Sequence, residues 1–151
     1  MSPFSEKCVF CSIARGETSA SVVVREGGFC AFLDARPVFK GHVLVVPVEH
    51  TPDIAALPEP DVGPLFSLAR RIAAAVEKGL GSQGAFLCVN NKVSQSVAHL
   101  HVHVVPRTKG DGLRGFLWPR TKYETEAERD GYAQKISAAL PGVPTPPATR
   151  G

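Results

Sequence analysis

No stretch of the 151-residue sequence approaches the roughly 20 consecutive apolar residues that a membrane-spanning helix requires. The segment Met1 to Cys11 also lacks the basic region followed by an apolar one that marks a secretory signal, so the chain reads as cytoplasmic and away from membranes. Charge of one sign is scarce: 17 Lys and Arg stand against 14 Asp and Glu, a net +3 with no basic run or stripe, and a nucleic-acid partner is therefore not expected. One Trp and one Met are present, yet 44% hydrophobic and 21% charged residues are ordinary for a folded domain and argue against disorder. A chain of this length buries enough surface to fold without covalent staples. Cysteine is also sparse. Its four residues, Cys8, Cys11, Cys30 and Cys88, would stay reduced in the cytosol, so the Cys8-x-x-Cys11 pair suggests metal or redox chemistry rather than a disulfide framework.

What is present divides into short β-prone runs around one long amphipathic segment. Ser21 to Arg25 and Phe29 to Asp34 flank Glu26, Gly27 and Gly28 and read as a hairpin. Gly41 to Val48 is a near-continuous Val and Leu run, the pattern of a strand buried on both faces, and Ala85 to Asn90 is similar. Between them Val62, Leu65, Phe66, Ala69, Ile72, Ala73, Val76 and Leu80 recur at three- and four-residue steps, predicting a helix that ends near Gly79 to Gly81 and covers the sheet. His99 to Val105 alternates histidine with apolar residues, so as a strand it would turn three imidazoles to one face and Leu100, Val102 and Val104 into the core. Tyr123 to Leu140 reads as a terminal helix. The expectation is a single α+β domain over residues 1–140, mainly antiparallel, with a Pro-rich tail from Pro141 to Gly151.

The three histidines on alternating positions carry the chemistry. Imidazole titrates near neutrality and has two distinct nitrogens, so one can attack while the other is held in the right tautomer. A lone histidine is ordinarily a satisfied structural residue; a row of three followed by Val104, Val105 and Pro106 is harder to read that way. A shared metal is the competing reading. Neighbours on one strand face are roughly 6.6 Å apart, so the outer two rings would have to converge over about 13 Å, and two adjacent rings share a metal more readily than three.

The run His99, Leu100, His101, Val102, His103, Val104, Val105 resembles the motif of the histidine triad family, and Ser94, Gln95, Ser96, Val97 precede it where that family carries its phosphate-binding loop. Phe32 to Pro37 followed by Gly41 to Pro47 is similar to the family's first nucleotide-binding segment, and Asn90 and Asn91 fall where a polar substrate contact is expected. The likeness runs from about Cys8 to Arg107, with a weaker part around Trp118 to Tyr123. Ser94 departs from it, since the family usually has Gly there.

That resemblance implies a fold, a mechanism and a set of site residues. The fold would be a mainly antiparallel sheet with a long covering helix and a C-terminal helix. His101 would attack the α-phosphorus of a phosphoramidate, acyl-nucleotide or dinucleoside polyphosphate, and water or another acceptor would resolve the nucleotidyl-histidine, making the protein a hydrolase or transferase. Ser96 would contact the phosphate or protonate the leaving group, Gln95 would help stabilise charge at phosphorus, and His103 and His42 would support the nucleophile. The carbonyl of His99 would hold the other nitrogen of His101. Asp34 would accept the ribose hydroxyls, with Asn90 a further contact and Phe10, Ile13 and Phe32 enclosing the base. The plain readings beside these are core packing for the three apolar residues and a turn cap for Asp34.

A branch of the family, and the similar sugar-phosphate uridylyltransferases, complete a Cys-x-x-Cys pair with two histidines that correspond to His50 and His99, which implies a structural zinc on Cys8, Cys11, His50 and His99. Otherwise the two cysteines are buried apolar residues or a redox pair. Cys30 and Cys88 read as core. The family also implies a homodimer. A zinc-stabilised nucleotide-binding module without catalysis is the alternative, and Ser94 is the feature that leans that way.

Overall fold

The computed structural model describes residues 7–113 and 120–142. Residues 143–151 of the proline-rich tail and Trp118 lie outside them. Two compact units account for the described chain, one running to Asp111 and the other beginning at Gly112.

In the first unit the elements follow the order α1 (Val9–Arg15), β1 (Val22–Glu26), β2 (Phe29–Leu33), β3 (Val43–Pro47), a 3-10 turn (Ile54–Ala56), α2 (Glu59–Leu80), β4 (Gly84–Cys88) and β5 (Val102–Arg107). The five strands form one antiparallel sheet ordered β1-β2-β3-β5-β4. The hairpin joining β1 to β2 turns on Gly27 and Gly28, both at positive φ, the backbone that a two-residue turn matching the twist of its strands requires.

Alternation splits the sheet's side chains between two cores. Phe29, Ala31, Val43, Val45, Val102 and Val104 pack with Leu65, Leu68, Ala69, Ile72 and Val76 of α2, while Cys30, Phe32, Leu44 and Val46 pack with Phe10, Cys11, Ile13 and Ala14 of α1. Every residue of β3 is buried, as its unbroken apolar run predicts. β4 is different: Leu87 is 41% exposed, because the strand pairs only with β5 among the described residues.

Several boundaries move from the sequence reading. α2 begins at Glu59 rather than Val62, with Pro60 in its first turn where a missing N–H costs little, and Phe66 lies on its solvent side. The histidine strand starts at Val102, not His99, since its ladder with β3 stops at the pair Val45 and Val102. Leu100 still enters the core but gives its N–H to Thr51 O at 2.6 Å. In the second unit α3 spans Glu126–Ala139 instead of Tyr123–Leu140; the Thr125 hydroxyl accepts the N–H of Glu128 and Glu128 accepts that of Glu124, a capping pattern readable in Thr125-x-x-Glu128.

The turn into β3 is tightly constrained. Gly41 has a φ of 94°, and a Cβ there would fall on Leu80 Cδ1. Gly41→Ala is expected to lower the unfolding free energy by about 2 kcal/mol, combining left-handed strain with displacement of Leu80. Urea unfolding checks this, and an unchanged midpoint with unchanged slope would contradict it.

Candidate nucleotide site and metal centre

Two clusters of histidine are built on the α1 face of the sheet, and each ring is oriented by a named bond. His99, fully buried, donates Nε2–H to the carbonyl of Pro47 at 2.8 Å, which leaves Nδ1 as a lone pair. That nitrogen lies 3.4 Å from Cys8 Sγ and 3.5 Å from Cys11 Sγ, while Cys11 Sγ is 3.3 Å from His50 Nδ1. All four donor atoms fall within 4.8 Å of one another. Metal bonds of about 2.3 Å to sulfur and about 2.0 Å to nitrogen, meeting at a tetrahedral angle, place S and N about 3.5 Å apart, so the observed spacings fit a Cys2His2 zinc site. Four protein ligands leave no open position, and the metal such a site holds is structural. Burial holds His99 down to about 4, keeping it in the neutral form that can coordinate.

The second cluster lies beside a cleft of about 900 Å³, within the range that encloses small-molecule ligands. His101 donates Nδ1–H to the carbonyl of His99 at 2.7 Å, so its Nε2 carries the lone pair. Phe10 meets the His101 ring edge-on at 5.1 Å and the Phe32 ring at 5.4 Å. Behind them runs a relay. The backbone N–H of Val38 donates to His42 Nδ1 at 3.1 Å, so neutral His42 carries its proton on Nε2 and passes it as a hydrogen bond to His103 Nδ1 at 2.9 Å. His103 must then hold its own proton on Nε2, which is buried and has no partner among the described residues. Desolvation is the main cause that lowers both rings' pKa values, His103 to about 4, with the neighbouring histidines adding to it and Asp34 opposing it.

The histidine triad (HIT) domain family matches residues 15–110. The chain belongs to this family. It is 36% identical over 141 residues to a HIT-like protein of Mycobacterium tuberculosis, covering 87% of this chain and 97% of the relative. An adenosine 5'-monophosphoramidase of Schizosaccharomyces pombe is 29% identical over 135 residues, covering 88% and 98%. Among solved structures, a zinc-bound histidine triad family protein of Mycobacterium smegmatis superposes with a TM-score of 0.68 at 36% identity, covering 87% of this chain and 97% of that one.

Of the HIT residues anticipated from sequence, Phe10, Ile13, Phe32, Asp34, Ser96, His101 and His103 line the one cleft. His42 stands behind it in the relay. Phe10, Ile13 and Phe32 belong at once to the core and to the cleft wall. Asp34 likewise serves a turn and the cleft: Oδ1 caps the N–H of Arg36 at 2.8 Å, and Oδ2 lies 3.7 Å from His42 Nδ1. Gln95 and Asn90 are placed elsewhere. The Gln95 amide is spent on backbone groups, donating to Pro52 O of the segment after β3 at 2.7 Å and accepting from Lys92 N–H of its own loop at 2.9 Å, and Asn90 is not among the lining residues. Asn91 accepts the N–H of Ile54 at 3.0 Å. Ser19, Ser21 and Arg36 line the cleft with no spacing signal to announce them; only their positions beside β1 and Asp34 could have suggested it. Ser94, the residue that departs from the family, has a φ of 59°, so the backbone keeps the left-handed conformation that glycine would supply.

Metal analysis of the purified protein is expected to give one zinc per chain, and Cys11→Ser or His50→Ala should remove it and lower the melting temperature by about 10 °C. Full zinc content in either variant would contradict the ligand set. The depressed pKa of His103 sets a second expectation. A folded-state value below the unfolded 6.5 means that the unfolded chain takes up the proton first as pH falls. The stability contribution is therefore complete above pH 6.5 and lost as pH drops toward 4. Measured against His103→Gln, which shares any zinc dependence, wild-type stability should fall across that window, and a constant difference between the two proteins would contradict it.

Proposed function

We propose that the protein is a nucleotide hydrolase or nucleotidyltransferase acting at the α-phosphorus of a nucleoside monophosphate derivative through a nucleotidyl-His101 intermediate. The observation that carries this reading is the pairing of a pinned His101, its Nε2 lone pair unclaimed among the described residues, with a buried His103 Nε2–H that lacks a partner. A buried unsatisfied donor is costly, and a phosphate oxygen in the cleft would satisfy it. The relative of Schizosaccharomyces pombe, a phosphoramidase of adenosine monophosphate, supports the same class of bond.

In the first step the His101 Nε2 pair forms a bond to phosphorus as the bond to the leaving group breaks, its electrons departing with that group. The Ser96 hydroxyl, on the cleft wall, supplies a proton to a leaving group that needs one and regains it from solvent. Water then attacks phosphorus, the P–N pair returns to Nε2, and the water's proton passes to solvent; a different acceptor in that position makes the reaction a transfer. Asp34 binds the ribose hydroxyls with its cleft-facing carboxylate, and Phe10, Ile13 and Phe32 enclose the base. Zinc on Cys8, Cys11, His50 and His99 ties α1 to the histidine run and stays out of the chemistry. The reduced thiols it needs fit the cytoplasm. β4, with one edge unpaired among the described residues, supplies the pairing edge of a homodimer.

Incubation with adenylated and guanylated phosphoramidates, trapping the labelled enzyme, tests the reading. His101→Ala should lose the label and reduce turnover by a factor on the order of 10^4, and His103→Gln by about 10^2 to 10^3 through loss of one transition-state donor. Binding without turnover or label would instead support the non-catalytic nucleotide-binding module.

A further inference from the structure

The loop that leads from β4 to the histidine run has little packing to fix its shape. Residues 91–94 are exposed, and Val93, the one apolar side chain among residues 91–96, is 80% exposed. The backbone of this stretch is nevertheless held in a costly form. Lys92 at φ 69° and Ser94 at φ 59° are, among the described residues, the two that take the left-handed conformation without being glycine. What offsets that strain is a set of hydrogen bonds to one short segment after β3, residues 51–54. The Gln95 side chain donates Nε2–H to the carbonyl of Pro52 at 2.7 Å and accepts the N–H of strained Lys92 on Oε1 at 2.9 Å. Asn91 Oδ1 accepts the N–H of Ile54 at 3.0 Å, and at the far end the N–H of Leu100 donates to the carbonyl of Thr51 at 2.6 Å. The Lys92 ammonium also lies 3.7 Å from Asp53 Oδ2, an exposed pair that adds little. Both ends of the loop are thus stitched to the same four residues. Ser96 and Val97, which line the nucleotide cleft, lie between the stitches, whereas Asn91 and Gln95 line no part of it.

We propose that Asn91 and Gln95 are positioning residues: their amides latch the loop in the shape that receives the phosphate of a nucleotide, and neither side chain touches the nucleotide. The inference rests on the reading of the His101 cleft as a nucleotide site. A loop with two strained residues and no core of its own relaxes when its latch is cut, and Ser96 relaxes with it. The apparent affinity for a phosphate-bearing ligand then falls in proportion to the share of molecules whose loop keeps the competent shape. Saturating substrate draws every molecule back to that shape, so the loss falls on KM and spares kcat. Gln95 carries more of the latch than Asn91, because it spends both a donor and an acceptor and one of its partners is a strained residue. The strain supplies a second handle. Glycine at position 94 takes the left-handed backbone without steric cost, so it removes part of what the latch must offset. A latch that has been cut is therefore repaired by Ser94→Gly, while a lost contact between side chain and phosphate is not.

Calorimetric binding of AMP and of adenosine to the full-length zinc-loaded protein, with turnover of an adenosine 5'-phosphoramidate beside it, tests the latch. Adenosine lacks the phosphate and reports on the base and ribose walls alone. Gln95→Ala should weaken AMP binding about tenfold and adenosine binding less than about twofold, and Asn91→Ala should weaken AMP binding about threefold. Gln95→Glu keeps an acceptor for Lys92 N–H but sets a carboxylate against the Pro52 carbonyl, and should be no better than Gln95→Ala. In turnover the Gln95→Ala loss should appear as a raised KM with kcat within about twofold of wild type. Adding Ser94→Gly to Gln95→Ala should recover AMP binding to within about threefold of wild type. Unchanged AMP affinity in Gln95→Ala, equal losses on AMP and adenosine, a loss confined to kcat, or no recovery with Ser94→Gly would overturn the latch and leave the cleft and His101 in their roles. Wild-type protein that binds AMP but does not turn over the phosphoramidate would overturn the catalytic reading alone, the two affinities still deciding the latch. Wild-type protein that binds AMP no more tightly than adenosine would overturn both.

Discussion

A hydrogen bond between the buried His99 ring and the carbonyl of Pro47 underlies most of the site. It places the His99 proton on Nε2 and so frees Nδ1 to face the two cysteines. The same ring anchors the backbone whose carbonyl then accepts the His101 N–H. Pro47 suits this position for a further reason: it has no N–H to give a ladder, so the pairing of β3 with β5 ends at Val45 and Val102 and its carbonyl is open to a side chain. The end of a strand pairing thereby becomes the start of the metal centre. Losing either partner would strand a polar group in a buried site.

Much of this was legible in the residues. The all-apolar run of β3, the Gly27-Gly28 turn, the three- and four-residue period of α2 and the Cys8-x-x-Cys11 spacing each reflect a local physical rule, and the strand, turn and helix formed there, with α2 starting earlier and β3 shorter than the pattern suggests. The histidine alternation pointed to the family but overstated the strand. Alternation specifies which face a residue takes if the chain is extended, and it carries no information on where the neighbouring ladder stops. Pro47, 52 residues earlier, decides that. Gln95 shows the same limit. Its position in the loop matched the family, but its amide is drawn away by the Pro52 carbonyl and Lys92 N–H, partners on which sequence position was silent.

The cluster of Asp34, His42 and His103 also gathers metal-ligating atoms within 4.8 Å, yet it differs in kind from the cysteine site. Both nitrogens of His42 are engaged, one by Val38 N–H and the other by His103, so no lone pair on that ring is left for an ion. The cysteine cluster instead gathers four donor atoms, two sulfurs and two imidazole nitrogens, around a common centre with S-to-N separations that match tetrahedral zinc. Five imidazoles within one small fold are thus sorted by their polar contacts before any ligand arrives. Burial favours the neutral form of His42, His99 and His103 alike, because a charged ring in that setting would be desolvated, a cost that Asp34 offsets only in part at His42 and His103.

The same sorting bears on which histidine can act as nucleophile. An attacking imidazole needs a lone pair on a nitrogen that faces the cleft, and a partner that keeps the proton on the other nitrogen. His99 has neither nitrogen to spare, one being bonded to Pro47 and the other turned to the cysteines. His103 faces the cleft with a protonated Nε2, since His42 occupies its other nitrogen, and can donate but not attack. His101 alone among the three couples a pinned Nδ1–H to an Nε2 on the cleft wall that is unclaimed among the described residues. The proposed attack by His101 and donation by His103 rest on the tautomers that Pro47, His99 and Val38 impose through backbone groups. The roles therefore depend on the backbone path as much as on the three side chains. Ser94 keeps that path through the phosphate loop by adopting a positive φ, an exception that costs about 1 kcal/mol and leaves the loop's route to Ser96 and His99 intact.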